Sequence, residues 1–441
     1  MTNVELPLTQ PEISFTSAGG CEVRRTVHSS GLRILTERVP GSRSASIGLW
    51  IGAGSRDEQA GEFGSTHFLE HLLFKGTDSR TAFDISEAFD SVGAHHNALT
   101  AKESTCYLAK VRSVDLPMAV SVLADQVSNS VLRGEDFELE RTVILEELAM
   151  AQDDPDDVCG EQFFGAVFGD SALARPIGGS FADIEGAVRD TVVTHYRARY
   201  TPSDLVVTIA GDVDHDEAVA LVCAALTGWD LSVPAAPRER RLDEDATVSN
   251  RSMLAVTQRD LEQVAVIMGV PGFRAGTRRR SDIGVLSSVL GGGSSSRLFQ
   301  EIREKRGLAY SVDAFPVYYS DAGAFGMAAG CAPKAVAEVT QLMRDGLNQI
   351  AADGITEVEL RRARGQILGG STLALESTDS RMNRLGRAEF MGVYRDLDET
   401  ERLLNLVTPD TVRAVAAELA EQPYTVSAVG DVTDATFAHL V

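Results

Sequence analysis

Nowhere in the 441 residues is there a run of about 18 apolar positions, the minimum for a helix that crosses a bilayer. The stretch from Met1 to Thr16 lacks a basic start followed by an apolar block, so neither a secretory signal nor an arginine-rich transit peptide is expected there. Cysteine is scarce and scattered. Cys21, Cys106, Cys159, Cys223 and Cys331 form no Cys-x-x-Cys pair, which argues against a disulfide framework or a thiolate metal site and fits a reducing compartment. Positive charge is short as well: 41 basic residues against 64 acidic ones leave a formal net charge of −23, which repels a phosphate backbone. The expectations are a cytoplasmic location, no membrane span and no nucleic-acid partner.

What remains is the composition of a folded, water-soluble chain, 44% hydrophobic and 24% charged. The length favours at least two domains. Residues 232–250, rich in proline and charge and poor in large apolar side chains, read as a linker between an N-terminal domain, 1–231, and a C-terminal domain, 251–441. An internal repeat supports that division. The apolar run Ser46 to Gly54 returns at Val264 to Gly272, an offset of 218 residues between the closing glycines. The run Leu205 to Val213 returns at Tyr424 to Val432, with Gly211 and Gly430 an almost identical 219 residues apart. Helical periodicity covers Thr66 to Leu73, Ala82 to Val92, Leu116 to Ser128, Phe137 to Gln152 and Val213 to Leu226, and Ser104 to Val111 alternates as a strand. Strand runs broken by helices predict an α+β fold of two homologous domains, each a largely antiparallel β-sheet packed with α-helices.

The chemistry concentrates in His67-Phe68-Leu69-Glu70-His71. Two histidines four residues apart project from one face of a helix, the arrangement that two imidazoles need to share a tetrahedral zinc ion at roughly 2.0–2.1 Å. Glu70, on the adjacent flank, reaches a water on such a metal without being a ligand, so its role is general base. A catalytic zinc takes a third protein ligand and keeps a position open. In Phe137 to Gln152, positions 140, 144, 147, 148 and 151 follow the helical period, so Glu140 and Glu147 share an apolar stripe that excludes Glu146. A carboxylate on an inward stripe needs a cation. Glu147 is therefore the expected third ligand and Glu140 a proton-handling neighbour, with one zinc ion per chain. The adjacent His95 and His96 point to opposite sides of an extended segment, and His28, His195, His215 and His439 have no acidic or histidine partner at ligand spacing, so all six read as packing or surface residues. The glycine-rich run from Gly291 lacks the Gly-Lys-Ser/Thr ending of a phosphate-binding loop, so no nucleotide is expected.

His67 to His71, the following Leu72-Leu73-Phe74-Lys75-Gly76-Thr77, and Glu147 in a Val-Ile-Leu-Glu-Glu context resemble the inverted-zincin peptidases of the pitrilysin and insulinase family. The two-domain length is similar to the mitochondrial processing peptidase branch and its bacterial single-chain relatives. That resemblance implies His67, His71 and Glu147 as zinc ligands, Glu70 as base and Glu140 as auxiliary acid. It further implies that Gly93 to Glu103 includes a substrate-binding edge strand, with Asn97, Ala98 and Thr100 along the bound peptide. In the second half, which has no His-x-x-Glu-His, it assigns Arg303 and Tyr310 to the substrate backbone and the reacting carbonyl. The resulting expectation is a zinc endopeptidase acting on peptides or unfolded, presequence-like polypeptides in a chamber enclosed by the two domains, working as a homodimer in which each protomer supplies its glycine-rich loop to the other, or alone. The alternative is a non-catalytic, core-type structural subunit of the same fold.

Overall fold

The computed structural model describes residues 3–241, 248 and 253–440. In chain order the first strands are β1 (Asn3–Glu5), β2 (Glu12–Ser17), β3 (Cys21–Val27), β4 (Arg33–Arg38), β5 (Ser44–Ile51), β6 (His95–Thr100), β7 (Thr105–Arg112) and β8 (Leu205–Gly211). Seven of them form one sheet in the order β2-β3-β4-β8-β5-β7-β6, antiparallel except for the β4–β8 pair. All seven residues of β8 are buried, as befits an inner strand covered on both faces. β5 makes the two faces explicit. Ala45, Ile47, Leu49 and Ile51 enter a core that also includes Leu116, Val120 and Leu123 of a helix, whereas Ser46, Gly48 and Trp50 turn toward the helix Thr378–Met391 on the other side.

A second sheet is built from β9 (Met253–Gln258), β10 (Val264–Pro271), β11 (Ala309–Tyr318), β12 (Gly323–Cys331) and β14 (Thr425–Gly430). Its order, β11-β12-β10-β14-β9, repeats β6-β7-β5-β8-β4 of the first sheet, including a single parallel pair, β9–β14. The repeated runs at offsets of 218 and 219 are thus equivalent strands, β5 with β10 and β8 with β14. The short β13 (Val393–Arg395) pairs with β1. Helices α1 (Ser65–Leu72), α2 (Ala82–Asp90), α3 (Leu116–Asn129) and α4 (Gly134–Asp153) fall where the periodicity puts them, within a few residues at each end.

The chain divides into two compact units, residues 1–148, 176–240 and 372–399 in one, and 149–175, 241–371 and 400–441 in the other. These are not the contiguous stretches 1–231 and 251–441 suggested by the linker. Each half lends a helix to the other's unit. Helix α5 (Pro155–Phe168) covers the second sheet with Cys159, Phe163 and Val167, and the equally long Thr378–Met391 covers the first with Met382 and Leu385. Residues 242–247, 249 and 250 of the expected linker lie outside the described residues. Among the described residues no helix is long and apolar enough to cross a membrane.

A glycine lets each borrowed helix approach its sheet. At Gly269 of β10 a Cβ would stand 2.5 Å from the Phe325 carbonyl oxygen and 2.7 Å from Phe163 Cζ. Gly269→Ala is expected to destabilise the fold by about 1–3 kcal/mol through overpacking, read from the urea midpoint. Gly160→Ala on α5, where a Cβ meets nothing within 4 Å, should stabilise it by about 0.5–1 kcal/mol. Equal midpoints for the two variants would refute this packing account.

Candidate metal centre

The eight residues of α1 bury Phe68, Leu69 and Leu72 on one face, which leaves His67 and His71 on another. Phe68 stacks on Phe137 of α4 with ring centroids 4.6 Å apart. His71 lies three residues beyond Phe68, and Glu140 three beyond Phe137, so the stacked rings bring the next helical turns together. The result is a hydrogen bond of 2.9 Å between His71 Nδ1 and Glu140 Oε2.

The remaining ring nitrogens converge. His71 Nε2 lies 3.3 Å from His67 Nε2 and 3.3 Å from Glu147 Oε2, and His67 Nε2 lies 3.7 Å from the same oxygen. Ligands about 2.0–2.1 Å from a tetrahedral ion are separated from one another by about 3.3 Å, so these three atoms fit such an ion. The chemistry of the donors fits too. The proton on His71 Nδ1 points at Glu140, so Nε2 presents a lone pair, and two nitrogens and a carboxylate oxygen facing each other call for a shared cation. Burial, reinforced by the neighbouring His71, lowers the His67 pKa and keeps that ring neutral, as a ligand must be. Among the described residues this is the one group of three such side chains with ligand atoms within 4.8 Å of one another.

The expected burial of Glu147 is not observed. Glu147 does not sit on a buried face: its side chain is 47% exposed, and it is Glu140, 2% exposed, that is buried. The two share a stripe, but the end of the helix carrying Glu147 is open to solvent. A buried carboxylate needs a cation, and Glu140 has one in Lys75, whose Nζ forms an ion pair with its other oxygen at 2.6 Å. Lys75 follows His71 by four residues, as His71 follows His67, a spacing that could have revealed it.

Three further residues that shape the site carry no such signal. Gly64 at the start of α1 has φ 85° and no side chain with which to cap the helix. A Cβ there would stand 2.6 Å from Ile184 Cδ1. The cap comes instead from Glu58, whose carboxylate accepts the backbone N–H groups of Gly64 and Thr66 at 2.9 and 2.7 Å. Gly178 backs the His67 ring: a Cβ there would lie 3.4 Å from Nδ1.

Residues 33–180 match the family described as Insulinase (Peptidase family M16), and residues 187–367 match the Peptidase M16 inactive domain. An uncharacterized zinc protease of Streptomyces coelicolor is 44% identical over 418 residues, covering 93% of this chain and 90% of that one. The chain belongs to peptidase family M16. An uncharacterized zinc protease of Bacillus subtilis is 34% identical over 408 residues, covering 92% of this chain and 98% of its own length. Two solved structures share the M16 fold at a TM-score of 0.83 each. One is a peptidase M16 inactive domain from Pseudomonas fluorescens, 18% identical, covering 93% of this chain and 98% of that one. The other is a protease from Helicobacter pylori, 20% identical, covering 95% and 99%.

The other expected residues of this M16 chain fall in two places. Asn97, Ala98 and Thr100 lie on β6, the outer strand of the first sheet beside α1, with Asn97 exposed and Ala98 buried. Arg303 and Tyr310 belong to the second unit. Arg303, on the π-helical turn Phe299–Lys305, lies over the rings of Phe299 and Tyr310 at 4.6 and 4.7 Å. Tyr310 is 80% exposed at a bulge in β11. Arg297, in the glycine-rich run, makes a two-pronged ion pair with Glu359. Burial raises the Glu359 carboxyl, but hydrogen bonds from Arg297 and Thr356 outweigh it and pull the pKa down to about 2. His96 is stacked on Phe89, and His215 is held between the hydroxyls of Thr26 and Thr36, so both serve packing. His195 is buried against Glu62, 3.6 Å away, a partner that its sequence spacing hides.

Proposed function

We propose that this M16 chain is a zinc-dependent endopeptidase, with His67, His71 and Glu147 holding one zinc ion. The observation that carries the reading is the convergence of those three ligand atoms on the helix that also bears Glu70. Bound zinc supplies a Lewis acid that polarises the scissile carbonyl and acidifies water. Glu70 takes a proton from the attacking water and delivers it to the leaving nitrogen, and the second water proton follows by the same route, so the bond ends as a carboxylate and an ammonium. Glu140 accepts a hydrogen bond from His71 Nδ1 and so would keep Nε2 aimed at the metal. The peptide lies along β6 by backbone hydrogen bonds, with Asn97, Ala98 and Thr100 beside it, because an outer strand offers a row of free donors and acceptors. The resemblance to processing peptidases supports Arg303 and Tyr310 as donors to the substrate carbonyls and presequence-like or unfolded polypeptides as substrates; with the zinc motif and the glycine-rich run in one chain, the working form is a homodimer or the single chain. Free thiols at all five cysteines favour the cytoplasm.

The protein purified with zinc should cleave members of a peptide library. A chelator should abolish the cleavage, and one equivalent of zinc per chain should restore it. Cleavage that survives metal removal would refute the assignment. Folded protein that takes up no stoichiometric zinc would favour the core-type structural subunit instead.

A further inference from the structure

The five residues Gly54 to Glu58 touch both parts of the proposed site. At one end Glu58, itself buried, holds the first turn of α1 through its bonds from Gly64 and Thr66, three residues and one residue before the candidate ligand His67. At the other end the segment is bonded to the residues that leave β6. Ser55 N donates to Ala101 O at 3.1 Å, and Arg56 N to Lys102 O at 3.0 Å. The Arg56 guanidinium pairs with Glu103 at 2.6 Å, both side chains mostly buried. The contact is too close for any side chain at Gly54, where a Cβ would stand 2.3 Å from Ala101 O and 2.4 Å from the Lys102 carbonyl carbon.

We infer that Gly54 to Glu58 is a bracket that fixes the register between the metal-bearing helix and the outer strand β6, and so selects which bond of a bound peptide is cut. The inference rests on the proposed function. Glu58 acts as the positioning residue for α1, and Arg56 with Glu103 for the strand. Neither end touches the reacting atoms. A peptide on β6 advances by about 3.3 Å per residue, so a displacement of this bracket by a fraction of that distance brings the neighbouring bond into competition.

Three variants of the full chain separate the two ends: Glu58→Gln, Arg56→Ala and Glu103→Ala. Glu58→Gln loses the charge and one of its two acceptor oxygens. Its zinc affinity, measured by chelator competition, should fall roughly 10–100-fold, and the visible absorption of its cobalt(II) form should change, with KM for peptide unchanged. Arg56→Ala and Glu103→Ala should keep metal affinity and the cobalt spectrum, raise KM several-fold, and yield product masses from cleavage one residue away from the wild-type bond. Thermal melting checks that each is folded. A wild-type cobalt spectrum and zinc affinity in Glu58→Gln would overturn the helix end. A single wild-type cleavage site with unchanged KM in Arg56→Ala would overturn the strand end. If the wild-type protein bound metal and cut nothing, the functional reading would fall, while Glu58 would still be judged by the spectrum.

Discussion

Glu70→Gln should lower the rate of peptide hydrolysis by about 10³-fold while zinc remains at one equivalent per chain, the loss expected when a positioned general base can no longer accept a proton. The substitution keeps the side chain's size and its place on α1, between two candidate ligands that do not depend on it. The effect should therefore fall on kcat, with KM for peptide and cobalt absorption close to wild type. The measurement is a steady-state assay paired with metal analysis of the same sample. Full activity in this variant, or loss of zinc together with activity, would remove Glu70 from the role of base.

The second large effect distinguishes two adjacent glutamates. Glu147→Ala should release zinc at concentrations that saturate the wild type. The loss should exceed the roughly 10–100-fold that follows removal of a ligand's hydrogen-bond partner, which is the range expected for Glu140→Gln. Glu146→Ala, one residue away and about 100° around the helix, should leave zinc and activity as they are. Although Glu147 is half exposed, Oε2 lies 3.3 Å from His71 Nε2 and 3.7 Å from His67 Nε2. Equal zinc affinity in the two alanine variants would reject Glu147 as ligand.

Much of this site was legible because helical spacing is a geometric statement. His67 and His71 had to share a face, and Glu140 and Glu147 had to share another. Which carboxylate was buried was not legible, since a periodic stripe does not reveal where its helix emerges into solvent. Glu58 was silent for a different reason. It caps a helix that begins six residues later at a glycine, and only the turn between them brings its oxygens to Gly64 and Thr66. The repeated strands were readable because β5 and β10, and β8 and β14, keep their apolar patterns through duplication. The destination of a helix was not. Pro155–Phe168 and Thr378–Met391 each cover a sheet of the other half, and nothing in the sequence of a helix states whose sheet it will cover.

That reciprocal loan has a bearing on how such a chain arose. Two copies of one ancestral protein that traded their equivalent helices would form a swapped dimer, each copy completed by its twin. Joining the two genes end to end preserves the trade, and the fused product then carries its own partner. Severed at the joint, each fragment would keep the larger core on one face of its sheet, present the other face bare, and hold the helix that its counterpart is missing.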